Sequence, residues 1–274
     1  KLIHDEWDDC SLVDYNRSGV PLIEIVSEPD MRSAEEVVAY LDKLRLMIQY
    51  LGASDCKLQE GSMRADVNLS VREVGTEEFG TRTEMKNLNS FKAIARAIEG
   101  ERARQIELIE EGKKVVQETR RWDDNKEYSY AMRSKEDAQD YRYFPDPDLP
   151  PVLISDEWMN GIKDSLPELQ PEKQRRYEAE YQLPSYDAGI ITGSKKLADL
   201  FESTVAICKN PKKVSNWLMV ETLRLLKEHG QDPEDLLFSP ENLAKLINLT
   251  EDGSINSTVA KEVFEKVFLE DVDP

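Results

Sequence analysis

Three carboxylates fall where acids are costly. Glu24 lies inside the apolar run 20–26, Asp66 inside the alternating segment 63–71, and Glu84 inside the short segment 81–86. An acid in the middle of a strand needs a partner, because burying an unpaired carboxylate is expensive. Arg64 and Asn68 flank Asp66, while Arg82 and Lys86 flank Glu84. If these strands are neighbours, three carboxylates and several cations converge on one surface. An oxygen-only ligand set of this kind suits Mg²⁺ or Mn²⁺, and the interleaved Arg and Lys suit phosphate oxygens. The spacing is equally served by a half-solvated sheet face laced with salt bridges.

Lys86-Asn87-Leu88-Asn89-Ser90 leads from the second of these strands into a long helical pattern. Asn89 or Ser90 is the expected N-cap, which leaves free backbone N–H groups and a positive dipole end beside Glu84 and Lys86. Either a phosphate or nothing more than an ordinary cap fits that arrangement. The cluster Tyr141-Arg142-Tyr143-Phe144 offers surfaces for stacking on bases, or a core-facing edge. Lys209, Lys212 and Lys213 form a compact basic patch of the sort usually found at a solvated helix end. His4 and His229 show no ligand spacing. No phosphate loop, dinucleotide fingerprint, Ser/His/Asp or Cys/His arrangement is present, so an amidase-type nucleophile is not supported.

The elements that must position these residues follow from periodicity. Residues 20–26 read as a buried strand from their length and β-branching. Ser33-Ala34-Glu35-Glu36 opens a helix that runs to Gly52. In 63–71, Met63, Ala65, Val67 and Leu69 take one face, and Arg64, Asp66, Asn68 and Ser70 take the other. Residues 81–86 read as its partner strand. A helix over 90–111 buries Ile94, Ile98, Gln105 and Ile109, and 115–122 with 128–133 forms a hairpin. Four prolines in 140–151 mark a rigid extended connector. Helices are then expected over 171–181, 195–208, 212–229, 240–251 and 257–268. The fold class is therefore α+β, with a mostly antiparallel-sheet cradle domain over 1–166 and an all-α helical domain over 167–274.

Composition narrows the functions. With 36 Lys+Arg against 55 Asp+Glu, the net charge is −19, which argues against a general nucleic-acid coat and against DNA as a partner. Three dispersed cysteines (Cys10, Cys56 and Cys208) point to a reducing compartment and offer no disulfide or zinc framework. No apolar run approaches about 18 residues, so no membrane helix is expected. Lys1 opens the chain without a leader pattern, and the last helix stops just short of Pro274, which reads as the middle of something longer.

The segment 13–29, VDYNRSGVPLIEIVSEP, resembles position for position the signature of the B subunits of the aspartyl/glutamyl-tRNA amidotransferases, the GatCAB complexes. Residues 60–68, 84–91, 117–121, 140–145 and 215–219 also resemble that family, so the likeness covers essentially the whole chain. It implies a kinase-like cradle followed by a helical domain, with a C-terminal tail domain absent here. It further implies partners: the amidase of the complex (its A chain), the small C chain, and mischarged Glu-tRNA(Gln) or Asp-tRNA(Asn), in the cytoplasm of a bacterium. The implied chemistry uses ATP and Mg²⁺, with Mn²⁺ as a substitute, to phosphorylate the Glu or Asp side chain. Ammonia from the amidase then displaces the phosphate. On this resemblance Glu24, Asp66 and Glu84 are the metal ligands. Lys86 joins them as a catalytic residue, and Arg64, Asn68, Asn87, Asn89 and Ser90 line the ATP and phosphate pocket. Other metal ligands of the family, an N-terminal His and several Glu, would lie upstream of Lys1. A non-catalytic scaffold presenting tRNA to an amidase is the alternative, decided by whether the three acids share a cleft.

Overall fold

The computed structural model describes residues 2–5, 10–16, 18–134, 145 and 147–274. Two short strands, β1 (Leu2–Asp5) and β2 (Cys10–Val13), pair antiparallel with Leu2 opposite Val13. The 20–26 segment does not become the expected buried strand. It has no strand partner among the described residues, and Val20, Leu22, Ile23 and Val26 are 64–83% exposed. Apolar composition signals a demand for burial but does not supply the neighbouring ladder a strand needs, and Pro21 lacks an N–H to offer one.

Helix α1 (Ala34–Tyr50) starts where the Ser33 hydroxyl accepts from Glu36 N, with Glu35 and Glu36 in the positive first turn. A four-stranded sheet follows in the order β3 (Val67–Leu69), β4 (Thr83–Lys86), β5 (Glu118–Asp123), β6 (Tyr128–Ser134). β3 pairs antiparallel with β4 and β5 with β6, as expected for a mostly antiparallel sheet. β4 and β5 pair in parallel, which the sequence pattern does not reveal. A parallel return needs a crossover, and α2 (Phe91–Glu110) supplies it.

α2 and α1 cover one face of the sheet. Met85, Ile94, Ala97 and Trp122 are buried between them with Leu41 and Leu88. Gly100 permits this closeness: a Cβ there would lie 3.0 Å from Trp122 Cη2. Ile109, expected inside, is 48% exposed near the end of α2. A buried polar network pins the same face. Glu101 Oε1 accepts from Thr83 Oγ1 (2.8 Å), Gln105 Nε2 (2.9 Å) and Arg104 Nη2 (2.6 Å). Its Oε2 accepts from Ser129 Oγ (3.2 Å) and lies 3.5 Å from Arg120 Nε. Burial alone pushes the Glu101 carboxyl up, but the hydrogen bonds from Arg104, Gln105 and Thr83 outweigh it and hold the group below the usual glutamate range.

The rest of the described chain is helical: α3 (Asp156–Ser165), α4 (Gln170–Glu180), α5 (Ser185–Thr192), α6 (Lys195–Cys208), α7 (Pro211–Asn216), α8 (Leu223–His229), α9 (Pro240–Glu251) and α10 (Ser257–Glu270). α7 runs into α8 through a π-helical turn over Trp217–Thr222, where Thr222 Oγ1 donates to Trp217 O (3.2 Å). α3 and α5 lie outside the helical spans expected from sequence. These helices enclose a second core around Tyr177, Phe201, Leu243 and Phe264. Its link to α1 is a buried hydrogen bond from Tyr50 Oη to Thr192 O (2.8 Å), joined by the Lys57–Asp235 ion pair (3.6 Å). Cys56 and Cys208 are free thiols. No described helix is long and apolar enough to cross a membrane.

Candidate functional site

With one sheet face buried, strand alternation sends the intervening side chains to the other. Registered neighbours on adjacent strands share a face. Asn68, Glu84 and Thr119 therefore form one row, and Lys86, Arg121 and Tyr130 form the next. Asp66 joins the second row just ahead of β3: Lys86 Nζ donates to its Oδ2 at 3.0 Å and lies 3.5 Å from Glu84 Oε1. Thr119 Oγ1 donates to Glu84 Oε2 at 2.8 Å. The hydrogen bond to Asp66 is the main reason the Lys86 ammonium titrates above the ordinary lysine range.

Two of the three anticipated acids thus share a surface. Glu24 does not join them: it lies in the exposed 20–26 segment. Among the described residues no group of three or more His, Cys, Asp or Glu is gathered closely enough to hold a metal ion. A dedicated three-carboxylate cage does not fit these residues. The Asp66–Glu84 pair fits the other habit of Mg²⁺, which keeps several waters and is held by one or two carboxylates plus substrate phosphates.

The other predicted site residues divide by what their side chains already do. Arg64 and Asn68 are exposed beside Asp66. Asn87 adopts a left-handed backbone (φ 68°), which asparagine tolerates, and its Nδ2 donates to Trp122 O (3.0 Å), locking the end of β4 against β5. Ser90 is the N-cap of α2, its hydroxyl accepting from Ala93 N (3.0 Å). Asn89 is exposed and, with Asn87, Arg121, Asp124 and Tyr130, borders an open concavity of about 740 Å³. Sequence reasoning missed Thr119 and Arg121. The signal was available, since residues 117–121 belong to a hairpin strand whose alternation carries both to the open face.

Other candidates fall away or lie elsewhere. The 141–144 cluster lies outside the described residues. Lys213 pairs with Glu251 (2.9 Å), and Lys209 closes α6, so that patch is a helix junction. His229 stacks on Phe268 with ring centroids 5.8 Å apart. His4 lies on β1.

Comparison with known proteins bears on this geometry. The family description "GatB/GatE catalytic domain" matches residues 1–160, which carry the whole sheet and its open face. The chain belongs to the GatB/GatE family. A second description, "GatB domain", matches residues 199–274. The B subunit of the aspartyl/glutamyl-tRNA(Asn/Gln) amidotransferase of Lachnoclostridium phytofermentans is 72% identical over 274 residues, covering all of this chain and 57% of that protein. Its namesake from Agathobacter rectalis is 73% identical over 274 residues, covering 58% of its length. That of Caldanaerobacter subterraneus is 52% identical over 274 residues, again 58% of its length. The chain therefore spans under three-fifths of the length of these relatives.

Proposed function

We propose that this chain carries the phosphorylating site of a tRNA-dependent amidotransferase. The observation supporting this most directly is the polar face of β3–β5, where Lys86 bridges Asp66 and Glu84 and Thr119 fixes Glu84. In this reading the side-chain carboxylate of Glu on tRNA(Gln), or Asp on tRNA(Asn), attacks the γ-phosphorus of ATP. The bond to the β,γ-bridging oxygen breaks and ADP leaves. Ammonia produced by a partner amidase then attacks the acyl carbon, the acyl–oxygen bond breaks, and phosphate leaves with the amide formed. Phosphoryl transfer asks a protein mainly for positioning and charge stabilisation. In this reading Lys86 meets the phosphoryl oxygens, while Thr119 holds the second oxygen of Glu84 and fixes the orientation of its carboxylate. Mg²⁺ arriving with the nucleotide, or Mn²⁺ in its place, would meet Asp66 and Glu84 and supply charge neutralisation. An acyl phosphate must be shielded from water until ammonia arrives, which is why the amidase, the small third chain of the complex and the tRNA are the proposed partners. The bacterial cytoplasm is the proposed location.

The names of the relatives support the substrate class. The test is amide formation on each mischarged tRNA by the full-length protein in complex, with ATP, Mg²⁺ and glutamine. Amide formed without ATP consumption would refute the reading. So would full activity after Asp66→Asn, the result a passive tRNA scaffold requires.

A further inference from the structure

The pair Arg120-Arg121 is divided by the sheet. Arg120 points to α2 and is 5% exposed. Its Nε donates to Ser129 Oγ (2.8 Å) and its Nη2 to Ser129 O (2.6 Å), and it pairs with Glu118 and Glu101. Arg121 points the other way. Its side chain makes no hydrogen bond or ion pair among the described residues, although it is exposed on a rigid strand between Lys86 and Tyr130.

The acids around it are already matched. Asp66 and Glu84 hold Lys86 and Thr119. Asp124 accepts from Arg96 Nε (3.0 Å), Arg96 Nη2 (2.6 Å) and Trp122 Nε1 (3.1 Å). Asp123 accepts from the backbone N–H groups of Asn125 and Lys126 in the hairpin turn. What remains for the Arg121 guanidinium is an anion from outside, and its planar fork matches phosphate oxygens. The concavity it borders, about 740 Å³, has the exposed Asn89 amide on one side and Tyr130 on the other, with the Lys126 ammonium 5.5 Å from the Tyr130 ring centroid as a second cation near Arg121, a lining with room for a nucleoside beside its phosphates.

We propose that Arg121 binds phosphate oxygens of the nucleoside triphosphate, with the nucleoside in the concavity and the terminal phosphate directed toward Lys86. The inference rests on the phosphorylating reading above and adds where the nucleotide lies: across β6, β5 and β4, rather than along any one strand. Neighbouring strands lie about 4.8 Å apart, so Arg121 and Lys86 engage successive parts of one polyphosphate.

The experiment compares wild type, Arg121→Met and Arg121→Lys in the full-length protein within its complex. Initial rates of amide formation are measured against ATP and, separately, against mischarged tRNA. Losing a charge-assisted contact of this kind raises KM for ATP about 10- to 100-fold in Arg121→Met. Arg121→Lys falls between, because an ammonium offers a point contact instead of a fork. KM for the tRNA and the thermal midpoint stay at wild-type values, since Arg121 has no side-chain partner among the described residues to lose. An unchanged KM for ATP in both variants overturns the assignment while leaving the phosphorylating reading intact. A raised KM for tRNA alone overturns it too, placing the anion on the nucleic acid. If Arg121→Met does not fold, Arg121→Lys decides: a raised KM for ATP supports the proposal and a wild-type value overturns it. Wild type that forms amide without ATP would remove both.

Discussion

Lys86→Met separates chemistry from stability more cleanly than any other substitution at the open face. The ammonium lies 3.0 Å from Asp66 and 3.5 Å from Glu84, yet the Lys86 side chain is 43% exposed and Asp66 48%. Ion pairs this accessible contribute about 0–1 kcal/mol after solvent screening and side-chain entropy. Methionine keeps most of the apolar stem. The expected stability loss is therefore no more than about 1 kcal/mol, or roughly 2–4 °C in a unit of 150–250 residues. The proposed phosphoryl transfer asks far more of the same group. Removing one electrostatic stabiliser of transition-state charge costs about 10²- to 10³-fold in kcat, roughly 3–4 kcal/mol. Two measurements decide the matter: urea unfolding of the protein, and the rate of ATP-dependent amide formation by the full-length complex. Equal losses in both, or an unchanged kcat, would refute the reasoning.

The pH dependence of that stability difference has a definite sign. A lysine whose native pKa is raised contributes stability that is fully present below the unfolded value, about 10.4, and is lost as pH rises through the native one. The wild-type advantage over Lys86→Met should thus be constant from about pH 6 to 9 and fall away only in stronger alkali.

Asp66→Asn, made in the full-length complex, is expected to abolish ATP- and tRNA-dependent amide formation while glutamine hydrolysis by the amidase stays measurable. Glu24→Gln, at a residue that stands apart from the Asp66–Glu84 pair, is expected to keep amide formation near the wild-type rate; its loss would return Glu24 to the site. Glu101→Gln should cost about 3–5 kcal/mol by urea unfolding at neutral pH, because it leaves buried Arg120 and its neighbours short of their anion. The lowered Glu101 pKa adds a sign: its stabilisation is present above the unfolded value near 4.3 and is lost as pH falls through the native one, so the gap to wild type should narrow in acid. Gly100→Val gains no packing and drives a side chain into Trp122, which is 2% exposed, so about 1–3 kcal/mol should be lost in the same assay.

Local rules carried much of the fold. α6 and α9 occupy the spans read from their caps and leucine spacing, because Ser194 and Ser239 cap them through contacts within three residues. The alternation at 63–71 holds even where β3 is short, since Met63, Ala65, Val67 and Leu69 all pack toward the core. What local rules could not carry is partnership. The parallel pairing of β4 with β5 depends on α2 returning the chain, and no residue in either strand announces it. Residues 20–26 have strand composition without a ladder to join, so Glu24 stands apart from the pair it was expected to complete. Glu101 is the reverse case: an acid in mid-helix reads as solvent-facing until Thr83, Ser129 and Arg120 arrive from three strands. Arg121 escaped notice because its neighbour Arg120 has the same side chain and an opposite fate.

These two arginines show how the site is held. β4 and β5 present a residue to each face in turn, so Thr83 and Arg120 engage the buried Glu101 network while Glu84, Lys86, Thr119 and Arg121 stand on the open side. Lys86 and Asp66 restrain one another only weakly, through an exposed contact worth little, and Arg121 has no side-chain partner among the described residues. Their spacing is set by the backbone, and the backbone is set by α2 through Glu101, Trp122 and Gly100. Phosphoryl transfer depends on cations held at fixed separations before the substrate arrives. A substitution on the buried face should therefore reach the chemistry by moving strands, raising KM and lowering kcat together, whereas Lys86→Met touches kcat at nearly constant stability. That difference in pattern, more than the size of either effect, distinguishes a site built on this sheet from a row of surface salt bridges.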